Sequence, residues 1–168
     1  MMIKHLILLV ALYFCSSFTL IAQTDDWKSL IPLRSKRSEV EKILGKPEKY
    51  FEGSGIYELK MGEFVVWYSK GACRRSSDEI QWNIPAGIMT ELRVRINKPL
   101  SLAAYLSELE LKAFTRSESP AGFSRFLYTS SDESIVFETI MKNDSTEFVN
   151  SITLQPDKMK KNLRCSSM

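Results

Sequence analysis

Histidine is almost missing from this chain, since its 168 residues include one, His5, close to the N-terminus. Beyond that residue, the sequence excludes catalysis that depends on imidazole, such as a Ser-His-Asp or Cys-His nucleophile system. It also excludes imidazole ligation of a metal ion. Glycine-rich phosphate loops of the Walker or dinucleotide-binding type are missing too. We therefore expect no cofactor, no metal ion and no enzymatic activity.

Long apolar runs are missing except at the N-terminus, where residues 1–22 are typical of a secretory signal peptide. Lys4 supplies the positive start, and an apolar stretch interrupted by Cys15-Ser16-Ser17 follows. This stretch is short for a membrane-spanning helix, which needs about 20 apolar residues. We predict export to the periplasm or out of the cell, with cleavage after Ala22. The alternative is an uncleaved segment that retains the protein on the membrane.

Cysteine is scarce, and its three positions are Cys15, inside the predicted signal, Cys73 and Cys165. An even pair in an exported protein predicts one disulfide. A Cys73–Cys165 bridge would tie the C-terminal tail to the middle of the chain and leave no thiolate nucleophile. The alternative is a pair of free thiols.

Neither sign of charge is in large excess, because 23 Lys and Arg residues face 20 Asp and Glu residues. The basic residues cluster loosely and without interleaved aromatic residues, so we predict no nucleic-acid partner. The adjacent pairs Asp25-Asp26, Asp78-Glu79 and Asp132-Glu133 fall in expected arms and turns. Acidic residues are common there for backbone reasons. A hydrolase that uses two carboxylates remains the enzymatic alternative.

The clearest local pattern predicts a short helix at Ser38–Gly45. Ser38 and Glu41 have the spacing of a capping box, and the apolar residues that follow share one helical face. Gly45 and Pro47 then end the helix, because glycine accepts the left-handed conformation and proline prevents continuation.

Alternating and β-branched runs predict strands after this helix and after a second one. The predicted strands are Ile56–Lys60, Phe64–Ser69, Glu91–Ile96, Phe123–Thr129, Ser134–Met141 and Phe148–Leu154, and the second helix runs over about Leu102–Leu109. The sequence thus predicts an α+β fold, an antiparallel sheet with two short helices packed on one face. Residues 23–168 would form one domain of tandem αββ(β) units, at about 34–98 and 99–156, with a C-terminal tail.

The long polar connection before Glu91 contains Trp82-Asn83-Ile84-Pro85. An aromatic residue close to a proline in such a loop is typical of interaction hot spots. Trp82, Ile84 and Pro85 are therefore candidate protein contacts. The alternative is a loop that folds its own apolar residues back on the core.

Three family resemblances accompany these patterns. Ser35–Pro47 followed by strands resembles the helix-then-hairpin unit of the SmpA/OmlA lipoproteins, which include BamE of the outer-membrane barrel-assembly machine. Two such units in tandem resemble the β-lactamase-inhibitor-like arrangement. A longer pattern is similar to a family of exported bacterial proteins without an assigned activity. Its residues are Ile31-Pro32-Leu33, Ser35, Arg37, Val40-Glu41, Leu44-Gly45, Pro47, Cys73, Trp82-Asn83-Ile84-Pro85-Ala86-Gly87 and Leu163-Arg164-Cys165.

The resemblances imply export and binding, and no functional residue carries over from them. We therefore expect a non-catalytic, exported binding or envelope-associated interaction module. Its partner would be an unidentified protein in the envelope or outside the cell. The alternative is a secreted enzyme inhibitor of the β-lactamase-inhibitor-like type.

Overall fold

The computed structural model describes residues 26–51, 53–73, 81–122, 124–142 and 145–165. The predicted signal segment, 1–22, and the pair Asp78-Glu79 lie outside the described residues, as does Asp25. The elements are a 3₁₀ turn (Asp26–Ser29), helix α1 (Arg37–Leu44), strands β1 (Lys49–Phe51), β2 (Ser54–Leu59), β3 (Gly62–Tyr68) and β4 (Met89–Ile96), helical turns α2 (Leu102–Tyr105) and α3 (Glu108–Leu111), strands β5 (Phe114–Glu118), β6 (Arg125–Ser130), β7 (Ile135–Met141) and β8 (Glu147–Leu154), and a 3₁₀ segment (Lys158–Leu163).

The strands form one sheet in the order β1-β2-β3-β4-β8-β7-β6-β5, and every neighbouring pair is antiparallel. Each half of the chain is a meander of four strands. The second meander is placed so that its last strand, β8, pairs with β4 over the register from Leu92↔Leu154 to Arg95↔Ser151. The two halves therefore share one continuous sheet.

The predicted α+β fold class is wrong, because the described residues form a predominantly β structure. Helix α1 has eight residues, and the second predicted helix is broken into two four-residue turns, α2 and α3. Leu106 lies between them with an extended backbone, φ −130° and ψ 131°. These short helical segments contribute far fewer residues to the described structure than the eight strands do. Each half also carries four strands, where the αββ(β) units predicted two or three.

The helical segments were also compared with the length and apolar character of a membrane-spanning helix. Among the described residues, none combines the length and the apolar character that crossing a membrane requires.

One face of the sheet carries the hydrophobic core. Strands β3 and β4 place Phe64 and Val66, and Leu92 and Val94, fully buried on that face. Trp27, 3% exposed, packs edge-on against Phe64 with 5.8 Å between ring centroids. The other buried apolar residues are Leu30, Val40, Leu44, Tyr57, Tyr68, Met89, Ile96, Leu102, Phe137, Val149 and Ile152. Because side chains alternate along a strand, the residues between the core positions face the other side.

Helix α1 begins earlier than predicted, with Lys36 rather than Ser38 at the N-cap. The backbone N–H of Lys36 donates to the Glu39 carboxylate at 2.8 Å, so Glu39 takes the part predicted for Glu41. Glu41 instead pairs with Arg37 across one turn, with 2.7 Å between Nε and Oε1. The apolar stripe located the helix correctly. The N-cap was assigned two residues too late, because Glu39 and Glu41 each lie three residues after a possible N-cap, Lys36 and Ser38.

Candidate functional site

The face of the sheet opposite the core carries polar and aromatic side chains. On β4, Glu91, Arg93 and Arg95 alternate with fully or nearly buried apolar residues. Trp67 of β3 lies directly across from Glu91 in the antiparallel register. We call this the polar face, defined by these four residues and the side chains beside them on the same side of the sheet.

The predicted disulfide between Cys73 and Cys165 is present, with 5.7 Å between the Cα atoms. Beside it, the connection between β3 and β4 runs antiparallel to the C-terminal tail. The contacts that join the two segments are Cys165 N–H to Gln81 C=O (2.9 Å), Asn83 N–H to Leu163 C=O (2.7 Å) and the isolated Trp82↔Arg164 bridge. We call residues Gln81–Asn83 and Leu163–Cys165 together the clamp.

Ser69, the residue after β3, fixes the connection to the sheet. Its backbone N–H donates to the Ile88 carbonyl at 2.8 Å, and its carbonyl accepts from Gly87 N–H at 2.9 Å. Its hydroxyl Oγ donates to the Ile84 carbonyl at 3.2 Å. Ser69 is itself buried, so these bonds are shielded from water. The clamp is therefore held at both ends, by Ser69 on one side and by the disulfide on the other.

A cleft of about 480 Å³ lies between the clamp and the polar face. Its volume is within the range of about 300–1,000 Å³ that is typical of ligand sites. We call it the tryptophan cleft, and the lining residues used below are Trp67, Trp82, Thr90, Glu91, Gln155 and Arg164. Two indole rings from different parts of the sequence thus line one cleft.

Glu91 is the carboxylate among the described residues of this lining. Its side chain is 32% exposed, and Oε1 accepts a hydrogen bond from Arg93 Nη2 at 3.1 Å. Burial raises the pKa of the Glu91 carboxyl, and the charge of Arg93 offsets part of that rise. The Arg93 guanidinium also lies 5.3 Å from the centroid of the Trp67 ring, within cation–π range. These three side chains form one connected wall.

A second hollow, which we call the polar trough, continues from the cleft over β8, β7 and β6. It measures about 730 Å³ and shares Glu91 and Gln155 with the cleft. Within it, Glu138 accepts hydrogen bonds from Arg125 Nη1 at 3.5 Å and from Asn150 Nδ2 at 3.2 Å. Because these charges are paired, the trough offers hydrogen-bonding groups without a strong field of one sign.

The structure brings one of the three predicted protein contacts into the cleft. Trp82 lines the cleft, whereas Ile84 is half-buried outside the lining and Pro85 is exposed outside it. Sequence reasoning missed Trp67 and Glu91 as site residues. The alternation of apolar and polar residues along β3 and β4 predicted which face of its own strand each residue occupies. Only the pairing register of the two strands places Trp67 opposite Glu91. That all three predicted residues contact a protein remains a prediction.

The acidic pair Asp132-Glu133 lies in the β6–β7 turn, as predicted. The Asp132 carboxylate accepts hydrogen bonds from Ser130 Oγ at 2.7 Å and from Ser134 N–H at 3.0 Å and Oγ at 2.8 Å. These bonds, the one from Ser130 first, lower the pKa of Asp132 to about 2. Asp132 therefore organises a turn. In the part of the chain that the structure describes, no group of three or more His, Cys, Asp or Glu residues is placed to hold a metal ion.

These features define an antiparallel β-sheet protein with a disulfide beside an aromatic-lined cleft. No protein-family model matches the chain, and a search of curated proteins gives no match. Among solved structures, the chain is similar to the crystal structure of a DUF4309 family protein (YjgB) from Bacillus subtilis subsp. subtilis strain 168. The TM-score is 0.46 at 14% sequence identity, over 77% of this chain and 84% of that one. The likeness to SmpA/OmlA or β-lactamase-inhibitor-like units stays an expectation.

Proposed function

We propose that the protein is an exported, non-catalytic binding module whose ligand occupies the tryptophan cleft. The observation that carries this proposal is the joint lining of one cleft by Trp67 and Trp82. Apolar and aromatic walls with a few polar groups are the usual composition of ligand sites. Large aromatic residues also supply much of the binding energy at protein surfaces for little loss of conformational entropy.

The rigidity of the clamp supports a binding role. Trp82 lies between the two backbone hydrogen bonds that join the two segments of the clamp, and the disulfide lies next to it. Its backbone is therefore fixed before a ligand arrives. A site that is already ordered loses less conformational entropy on binding.

Export is supported by the same disulfide, because such bonds persist in oxidising compartments and are rare in the cytosol. Export also agrees with the secretory signal pattern of residues 1–22. The intact mass of the protein recovered outside the cytoplasm tests this half of the proposal. Loss of the first 22 residues together with two hydrogens for one disulfide is the expected result, and the full-length mass in the cytosol would contradict it.

The absence of catalysis is supported by the lining of the cleft. Hydrolysis of a glycosidic bond ordinarily uses two carboxyl groups on opposite sides of that bond. The described lining of the cleft contributes one carboxylate, Glu91, whose Oε1 accepts from Arg93 Nη2 at 3.1 Å. Of the two carboxylates in the adjoining trough, Glu133 lies in the β6–β7 turn and Glu138 accepts hydrogen bonds from Arg125 and Asn150.

The three tryptophans provide a built-in test of the site. Trp67 and Trp82 line the cleft, whereas Trp27 is buried in the core and serves as an internal control. The ¹H–¹⁵N signals of the three indoles are recorded with and without a low-molecular-mass extract of the cell envelope. We expect the Trp67 and Trp82 signals to move and the Trp27 signal to stay.

Two variants make the result specific. Trp67→Ala should strongly reduce the shift of the Trp82 signal at the same concentration of extract. Leu100→Ala removes an apolar side chain that is 52% exposed in the connection between β4 and α2, beyond the end of β4 that is remote from Glu91, and should leave the shift unchanged. Equal shifts of all three indoles, or no shift from any extract, would contradict the proposal. Chemical alteration of the extracted ligand by the protein would contradict its non-catalytic part.

A further inference from the structure

We propose that the ligand of the tryptophan cleft is an oligosaccharide, an inference that rests on the proposed function and names its ligand class. The lining is amphiphilic, because two tryptophans share the cleft with the polar residues Thr90 and Gln155. The Gln155 amide is held in place, since its Nε2 donates to the Glu133 carbonyl at 2.7 Å and its Oε1 can still accept. A matching ligand presents apolar C–H surface and hydrogen-bonding groups on the same small unit. Sugar rings do so, with C–H groups on their faces and hydroxyl groups around their rims.

The charges of the lining argue against lipid and polyanionic ligands. Glu91 lies in the cleft with the cations Lys70 and Arg164, and burying these charged groups under an acyl chain would leave them without water. The two cations of the described lining exceed the Glu91 carboxylate by one charge, and Arg125 and Glu138 of the adjoining trough are paired, so the surface lacks the strong positive field that a phosphate polymer or nucleic acid needs. The lining therefore suits a neutral or weakly charged ligand.

The topology of the sheet argues against an extended peptide that adds a strand. Strands β3, β4 and β8 under the cleft and trough each have a hydrogen-bonded neighbour on both sides. The edges of the sheet are β1 and β5, at its two ends. Strand addition needs an unpaired edge, so recognition over β3, β4 and β8 falls to side chains.

The continuity of the two hollows indicates a chain of sugars rather than a single one. Glu91 and Gln155 line both the cleft and the trough, so the ligand surface runs on from the two indoles without a break. Along the trough, Thr153, Asn150 and Thr129 supply hydroxyl and amide groups. Such groups both donate and accept hydrogen bonds, as sugar hydroxyls do.

The test titrates the protein with neutral and acidic trisaccharides, namely β- and α-linked glucose, N-acetylglucosamine and uronic acid trimers. A serine- and glycine-containing hexapeptide and sodium tripolyphosphate are the comparison probes. We expect at least one trisaccharide to shift the Trp67 and Trp82 indole signals saturably, with Trp27 unchanged. Trp67→Ala should weaken that binding by about tenfold or more, as for an anchoring aromatic residue.

A second variant, Arg164→Ala, covers the case that Trp67→Ala fails to fold, since Arg164 is exposed and lines the cleft. It should weaken trisaccharide binding severalfold, whereas Leu100→Ala should bind as the wild type does. Binding that survives both cleft variants would overturn the assignment. If the envelope extract or the hexapeptide moves the two indoles and no trisaccharide does, the ligand class is wrong and the proposed function stands. If no probe moves them, both fail.

Discussion

Removal of the Cys73–Cys165 bridge tests how the clamp and the fold depend on one covalent link. The perturbation is the double variant Cys73→Ser with Cys165→Ser. Cys73 is exposed and Cys165 is half-buried, so neither serine leaves a buried hydroxyl without a partner. The measured change then reports the lost cross-link rather than damaged packing.

The magnitude follows from the length of chain that the bridge closes, which is 92 residues. For a loop of this length, the chain-entropy model predicts that the cross-link lowers the entropy of the unfolded chain by about 15.6 cal/mol/K. This entropy corresponds to about 4.6 kcal/mol at 25 °C, which the variant should lose from its free energy of unfolding. With an m-value of about 2 kcal/mol per molar urea, the unfolding midpoint should fall by about 2 M.

Equilibrium urea unfolding of the oxidised wild type, the reduced wild type and the variant measures this loss. The last two should coincide, because both lack the bridge. In the folded variant, the Trp82 indole signal should move while that of Trp27 stays, since the tail is then held to Gln81–Asn83 by hydrogen bonds alone. A loss below about 1 kcal/mol would refute the chain-entropy reasoning for this bridge.

Three further changes test the core, the sheet and a turn. The buried hydroxyls of Tyr57 and Tyr68 bond each other at 2.8 Å, so Phe at either position should cost about 1–3 kcal/mol in urea unfolding, and the double Phe variant less than the sum of the two. Gly62→Ala would drive its Cβ into a backbone carbonyl of β4 and should cost about 3 kcal/mol. The control Gly45→Ala, with φ +85° and open space around it, should cost about 1 kcal/mol; equal losses would contradict this view. Asp132 has a lowered pKa of about 2 when folded, so its carboxylate stabilises the fold above pH 4 and this contribution disappears as the pH falls toward 2. Because Asp132 is exposed and solvent screens its charge, Asp132→Asn should lower the unfolding free energy at pH 7 by only about 0.5–1 kcal/mol and show little difference from wild type at pH 2.

Local pattern predicted the strands whose two faces differ. Leu92, Val94 and Ile96 alternate with charged residues, and all three are buried in the sheet. The edge strands β1 and β5 were missed, because their side chains are exposed or half-exposed along the whole strand and leave no alternation. The predicted fold class was wrong for a related reason. Only strands with an alternating or β-branched pattern were counted, so the helices seemed to make up a larger fraction of the structure than they do.

Long-range pairing explains why the candidate site was only partly predicted. The composition of its loop marked Trp82, and cysteine parity predicted the disulfide beside it. Trp67 was recognisable only as a strand residue, because its place opposite Glu91 depends on the register of β3 with β4. Arg164 joins them through a bridge to Trp82 across 82 positions of sequence, which no local period encodes.

Since β4 finds its second neighbour in β8, the final strand of the sheet, the first meander presents an open edge until the second is complete. Unpaired strand edges readily accept strands from other chains. The β8 of a neighbouring molecule has the same register with β4, so an exchanged dimer, in which two chains trade C-terminal meanders, is the characteristic misassembly of this topology. The bond from Cys165 back to Cys73 ties each β8 to its own chain, and oxidation thereby closes the route to exchange.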